Sequence, residues 1–224
     1  MDNREPDNKA DQVDTNSSAT AVAFVTTEHF TLQGARSSTI SESTGRASMF
    51  LTTVSGGLVA LGLLATATKV GAAFYAFGLI ILPTLAFVGL VTFERVMQSG
   101  IEDHRYARRI AWLRGYYFDQ APELVGYLLS VAPPERLRVQ GLGGGLWQGF
   151  LTVAGMVGVI TAVLAGSAAG LLAGIVAGHS LVVALAVGAV VAIAALAALM
   201  RYQDVAWRQV MTTPVFPGEE VVSK

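Results

Sequence analysis

The chain has 224 residues, 53% of them hydrophobic and only 14% charged, where soluble domains carry roughly 25% charged residues, so an ordinary soluble domain is excluded. A formal net charge of −1 gives no overall basic field, and nucleic acid is not an expected partner. The absence of cysteine excludes disulfides, thiolate metal sites, a cysteine nucleophile and an S-acyl anchor.

Residues 1–25 begin with Asp2, Glu5, Asp7, Asp11 and Asp14 against Arg4 and Lys9, among Asn, Ser and Thr with little to bury. That composition predicts a disordered tail. Residues 26–46 are rich in Ser and Thr, with Thr27 placed to cap a helix before Glu28 and with Phe30, Leu32 and Ile40 spread along it. A juxtamembrane helix is predicted there, weakened by Gly34 and Gly45; a small-residue surface for a partner helix is the other reading. No signal peptide is visible, so the apolar run that starts near Ala47 is expected to remain as an anchor.

From residue 47 to 93 the chain is apolar apart from Lys69, and one helix needs only about 20 residues to cross roughly 30 Å of hydrocarbon. Two spans follow. Lys69 at the centre of a span would cost about 2.5–3.5 kcal/mol, which places it in a tight turn, Thr68 to Ala72, at the membrane surface. Within the second span Pro83 removes a donor and predicts a kink that Thr84 or a neighbouring helix relieves.

Charge returns over 94–146. Arg95, Arg105, Arg108, Arg109, Arg114, Arg136 and Arg138 stand against Glu94, Glu102, Asp103, Asp119, Glu123 and Glu135. Tyr106, Ile110, Leu113 and Tyr117 recur at helical spacing and predict an amphipathic helix. A second helix is expected from Pro122 to before Pro133-Pro134. Arg105, Arg108 and Arg109 beside Trp112 offer contact with anionic headgroups or with a cytoplasmic protein.

Residues 139–200 contain no Asp, Glu, Lys or Arg. Within 147–200 this run accommodates two more spans, expected near 147–168 and 180–200, with Trp147 at the interface and a turn around His179. A single longer helix reaching Gly174 is the alternative for the first of them. Residues 201–224 form the C-terminal tail. Lys and Arg count 4 before the first span, 1 in the first connection, 7 in the central segment, 0 in the second connection and 3 at the end. Positive charge marks the cytoplasmic side, so both termini and the central segment are expected inside. The excess of Arg over Lys, 12 to 3, suits a GC-rich bacterium and its cytoplasmic membrane.

A small residue falls every fourth position at Ala154, Gly158, Ala162, Gly166, Gly170, Gly174 and Gly178. Helix faces repeat at 3.6 residues, so only three or four of these share one interface. Together with Gly56 and Ala60, and with Ala184 and Gly188, they are candidates for close helix packing, within the chain or in a homo-oligomer. No ionisable residue lies at membrane depth, which counts against an ion-coupled transporter. A pore lined by Thr52, Thr53, Thr161 and Ser167 is a weaker reading than packing by those hydroxyls. Gly141-Leu142-Gly143-Gly144-Gly145 lacks the strand and the Lys of a phosphate loop and reads as a hinge. His29, His104 and His179 fall on separate segments, so no metal site is expected, and no catalytic constellation or cofactor motif is present.

Phe30-Thr31-Leu32-Gln33, the stretch Thr39 to Arg46, and Glu102-Asp103 followed by Tyr106 resemble uncharacterised multi-pass proteins of high-GC, actinobacterial-type bacteria. The layout of a lead-in helix, a tight two-span hairpin and a cytoplasmic helix is also similar to SLATT effectors, a resemblance that implies a pore. The second hairpin departs from that plan. The expectation is an all-α bundle of four spans in two hairpins, not an enzyme, acting through packing and interaction, with an oligomeric channel or pore-forming effector as the alternative.

Overall fold

The computed structural model describes residues 5–120 and 152–212, and every element among them is an α-helix. In chain order these are α1 (Glu5–Thr68), α2 (Ala72–Gln120), α3 (Val153–Val176) and α4 (Leu181–Thr212). All four contain stretches long and apolar enough to cross a membrane. The helix expected from Pro122, the Gly141 to Gly145 hinge and Trp147 lie outside the described residues.

Each helix packs against its neighbour in sequence, and α1 also touches α3 while α2 touches α4. Side-chain pairs show that successive helices run antiparallel. Gly57 faces Leu85 and Gly89 faces Phe50 between α1 and α2; Gly78 faces Leu171 and Gly158 faces Phe93 between α2 and α3. The core draws on α1 (Ala47, Phe50, Val54), α2 (Leu82, Leu85, Phe93, Val96, Met97) and α3 (Ala154, Val157, Leu164). Its largest fully buried side chains are Phe50, Phe93 and Val157.

Outside this core the bundle carries an apolar belt. Leu185, Val190 and Ile193 of α4 are 65%, 67% and 68% exposed, and Leu63, Ile80 and Phe87 expose similar fractions on α1 and α2. Large apolar side chains exposed in that number are unusual on a water-soluble surface and suit lipid tails as solvent. At 1.5 Å per residue, the stretches 47–68, 72–93, 153–176 and 181–200 are about 30–36 Å long, which matches the roughly 30 Å of a bilayer core. Four long apolar helices thus fit a membrane protein.

The connection between α1 and α2 is residues 69–71. Val70 N–H donates to the Ala65 carbonyl at 3.1 Å and Gly71 N–H to Thr68 at 3.0 Å, closing the end of α1. Lys69 and Val70 take left-handed φ values of 49° and 58°, a conformation in which a β-branched side chain is strained. The glycine stands one position too late to relieve it. Between α3 and α4, Gly178 and His179 are left-handed at 67° and 65°, and His179 N–H donates to the Gly174 carbonyl at 2.8 Å.

Several local expectations differ from the structure. The backbone is helical from Glu5, through the residues read as a tail. Thr27 lies in mid-helix, its hydroxyl donating to the Ala23 carbonyl at 2.9 Å rather than capping a start. Gly34 and Gly45 meet no atom within 4 Å at a Cβ position and interrupt nothing. Pro83 lies inside α2, in the second apolar stretch as expected, and Thr84 beside it donates to the Ile80 carbonyl at 2.7 Å. α3 starts after Thr152, whose hydroxyl caps Gly155 N–H at 2.9 Å, and runs past residue 168 to Val176, in line with the longer of the two expected helices. Gly170 and Gly174 contact α4, while Ala177 and Gly178 belong to the turn with His179.

Candidate functional site

Two features of the fold bring together residues with specific roles: a glycine seam between α3 and α4, and a polar end where α1, α2 and α4 continue past the apolar belt.

In the seam, a Cβ on Gly166 would stand 2.5 Å from the Gly188 carbonyl and 2.7 Å from the Ala192 Cβ. On Gly170 it would stand 2.5 Å from the Ala184 carbonyl, and on Gly174 2.9 Å from the Ala184 Cβ. Conversely, a Cβ on Gly188 would come within 3.0 Å of the Gly166 carbonyl. Backbone meets backbone, so nothing larger than glycine fits at Gly166 or Gly170 without parting the helices. Gly158, two steps of the repeat before Gly166, lies against both Phe93 and Met200. Ala154 and Ala162 are buried on the same helix, at 6% and 1% exposure. Gly56 and Ala60 are exposed on α1, and a Cβ on Gly56 would meet nothing within 4 Å. Gly57, Gly78 and Gly89 were not singled out in the sequence, yet each abuts a side chain of a neighbouring helix; Gly89 lies against both Thr161 and Phe50. They lack the four-residue repeat that marked the α3 set.

At the polar end, Arg36 of α1 and Asp103 of α2 form an ion pair with contacts of 2.6 Å and 3.3 Å. Further out, the Tyr117 hydroxyl donates to Thr26 Oγ1 at 3.3 Å and its ring lies edge-on to His29 at 6.1 Å. The Gln33 amide donates to His29 Nε2 at 2.8 Å. Ile110 is buried with this face, and Tyr106 and Leu113 are half-buried. The 26–46 and 94–120 stretches are therefore not separate elements: each continues a membrane-length helix, and they pack on one another.

α4 closes the other flank. Trp207 lies edge-on to His104 at 5.7 Å and 3.6 Å from a Cβ on Gly100. The Gln203 amide donates to Thr152 at 3.4 Å. His104 Nε2 is buried without a hydrogen-bond partner. Burial first, then the charges of Arg108 and Arg36, hold the His104 pKa below its ordinary value, against the opposing pull of Asp103. Burial and Arg114 push His29 the same way.

The opposite face of α2 is open. Arg105 and Arg109 are exposed, Arg108 is half-buried, and Trp112 is 62% exposed. At the far end of the bundle the His179 ring lies tilted against Tyr75, ring centroids 5.0 Å apart, remote from the other two histidines. Among the described residues no group of His, Asp or Glu is placed to hold a metal ion. Comparison of the chain with protein-family models, with curated proteins and with solved structures finds no match.

Proposed function

We propose that the chain is a non-enzymatic, multi-pass protein of the bacterial cytoplasmic membrane, with both termini and the polar end cytoplasmic, and that it acts as an interaction or assembly component. The observation that carries this reading is the pairing of α1 and α2 beyond the apolar belt through Arg36–Asp103 and Thr26–Tyr117. Two spans continue without a break into a rigid cytoplasmic stalk, and the stalk presents Arg105, Arg109 and Trp112 outward. Orientation follows the Lys and Arg tally.

The same geometry favours a protein over headgroups as the partner of that face. Arg105 to Trp112 lie about 16–27 Å beyond Glu94 along α2, further than the roughly 8 Å over which surface charge is felt at physiological salt. Photo-crosslinkers at Arg105 and Trp112 in intact cells should give a discrete protein adduct, a second copy included, that disappears when Arg109 is changed to Glu. Adducts to lipid alone, or none, would sink the reading.

A second reading, the oligomeric channel or SLATT-like pore former, draws on the exposed side of α1. Thr52, Ser55, Gly56, Gly62 and Thr66 all face outward at membrane depth. Steady conductance in liposomes would support it, and ion-tight vesicles at high protein density would remove it.

A further inference from the structure

Between α2 and α4 lies a groove of about 550 Å³, walled by Leu90, Val91 and Leu199 and ending at Glu94, Arg95 and Tyr202. Its volume falls in the range of small-molecule sites. The polar end is at the level where charge returns on both helices: Glu94 is the first charge after Lys69 on α2, and Arg201 the first on α4. The groove therefore runs from the headgroup layer into the hydrocarbon. Its apolar wall, about one helical turn deep, suits the first part of an acyl chain and its mouth suits a headgroup, and tyrosine is favoured at that depth.

The mouth carries both signs of charge. Glu94 accepts from the Gln98 amide at 2.8 Å and shares the mouth with Tyr202, and a carboxylate has further lone pairs to offer. Arg95 makes a long contact of 3.4 Å to Gln98, and its guanidinium has five N–H donors. A phosphate fits Arg95, and a primary ammonium fits Glu94. An anionic headgroup without an amine would set like charge against Glu94, and a quaternary ammonium has no N–H to donate to it.

From the groove and its two-signed mouth we infer that this is a site for an amine-bearing zwitterionic phospholipid of the phosphatidylethanolamine class. The inference rests on the membrane reading proposed above. Full-length protein is purified from vesicles containing equal phosphatidylethanolamine, phosphatidylglycerol and phosphatidylcholine with matched acyl chains, and the lipid that stays bound is measured by native mass spectrometry. The amine lipid should be retained about fivefold over the other two, as expected for a charge-assisted hydrogen bond at a partly exposed site. Glu94→Gln should abolish that preference, and Glu94→Lys should turn it toward phosphatidylglycerol. Leu90→Trp, which fills the groove and leaves the charges, should lose bound lipid of every class. Melting temperatures confirm that each variant is folded. Equal retention of the three lipids by the wild type, or an unchanged preference in Glu94→Lys, overturns the site. Release of the wild type from vesicles by carbonate would overturn the membrane reading, and the site with it.

Discussion

Arg36 and Asp103, 67 positions apart, meet through two guanidinium–carboxylate contacts with each side chain only 26% exposed. The pair ties the N-terminal half of α1 to the C-terminal half of α2 in a region with few buried apolar residues. Partial burial raises its value above that of a surface pair without the full desolvation cost of a core pair. A double-mutant cycle with Arg36→Gln and Asp103→Asn should give a coupling of about 1 kcal/mol, read from thermal unfolding in detergent. Additive effects would mean that the stalk is held by its other contacts.

The glycine seam makes opposite predictions for two glycines of similar helical context. Gly170→Ala drives a Cβ to 2.5 Å from the Ala184 carbonyl and should cost about 1–3 kcal/mol by overpacking. Gly56→Ala meets open space and should be neutral or stabilise by up to about 1 kcal/mol through helix propensity. If Gly56→Ala proves as damaging as Gly170→Ala, the outer face of α1 is occupied in the membrane by another copy or partner, which a crosslink there would identify.

Val70 occupies a left-handed position at φ 58° while Gly71 sits beside it. Val70→Gly should remove that strain and stabilise the protein by about 1 kcal/mol. A lower melting temperature would show that the valine side chain contributes more than its backbone costs.

His104 and His29 both have pKa values held below the ordinary 6.5. The folded state therefore prefers them neutral. Their contribution is fully present above pH 6.5 and is lost as pH falls through the lower folded values. Stability should decline between about pH 6.5 and the acid side of that window, and His104→Gln should flatten the decline more than His29→Gln, since His104 is the more buried. A profile unchanged in both variants would place the acid sensitivity in the carboxylates instead.

The sequence determined the class of this protein. The apolar stretches within 47–93 and 147–200 are long enough for four crossings and fit a membrane protein, and Lys69 marks a turn because burying it costs too much. These are one-dimensional facts, set by transfer free energy along the chain. The turn before α4 was also visible at His179, and the end of α3 at Val176 lies near the longer of the two readings, the one reaching Gly174; the sequence left both open because Gly and Ala mark turns as well as close packing. Only the tertiary structure decided which glycines matter: Gly170 and Gly56 look alike in sequence and differ in whether another backbone lies 2.5 Å away. It also decided that α1 and α2 stay paired beyond their apolar stretches. The residues responsible, Arg36 with Asp103 and Thr26 with Tyr117, carry no local signal, since a contact between positions so far apart is chosen by the antiparallel register of two helices and not by either segment alone.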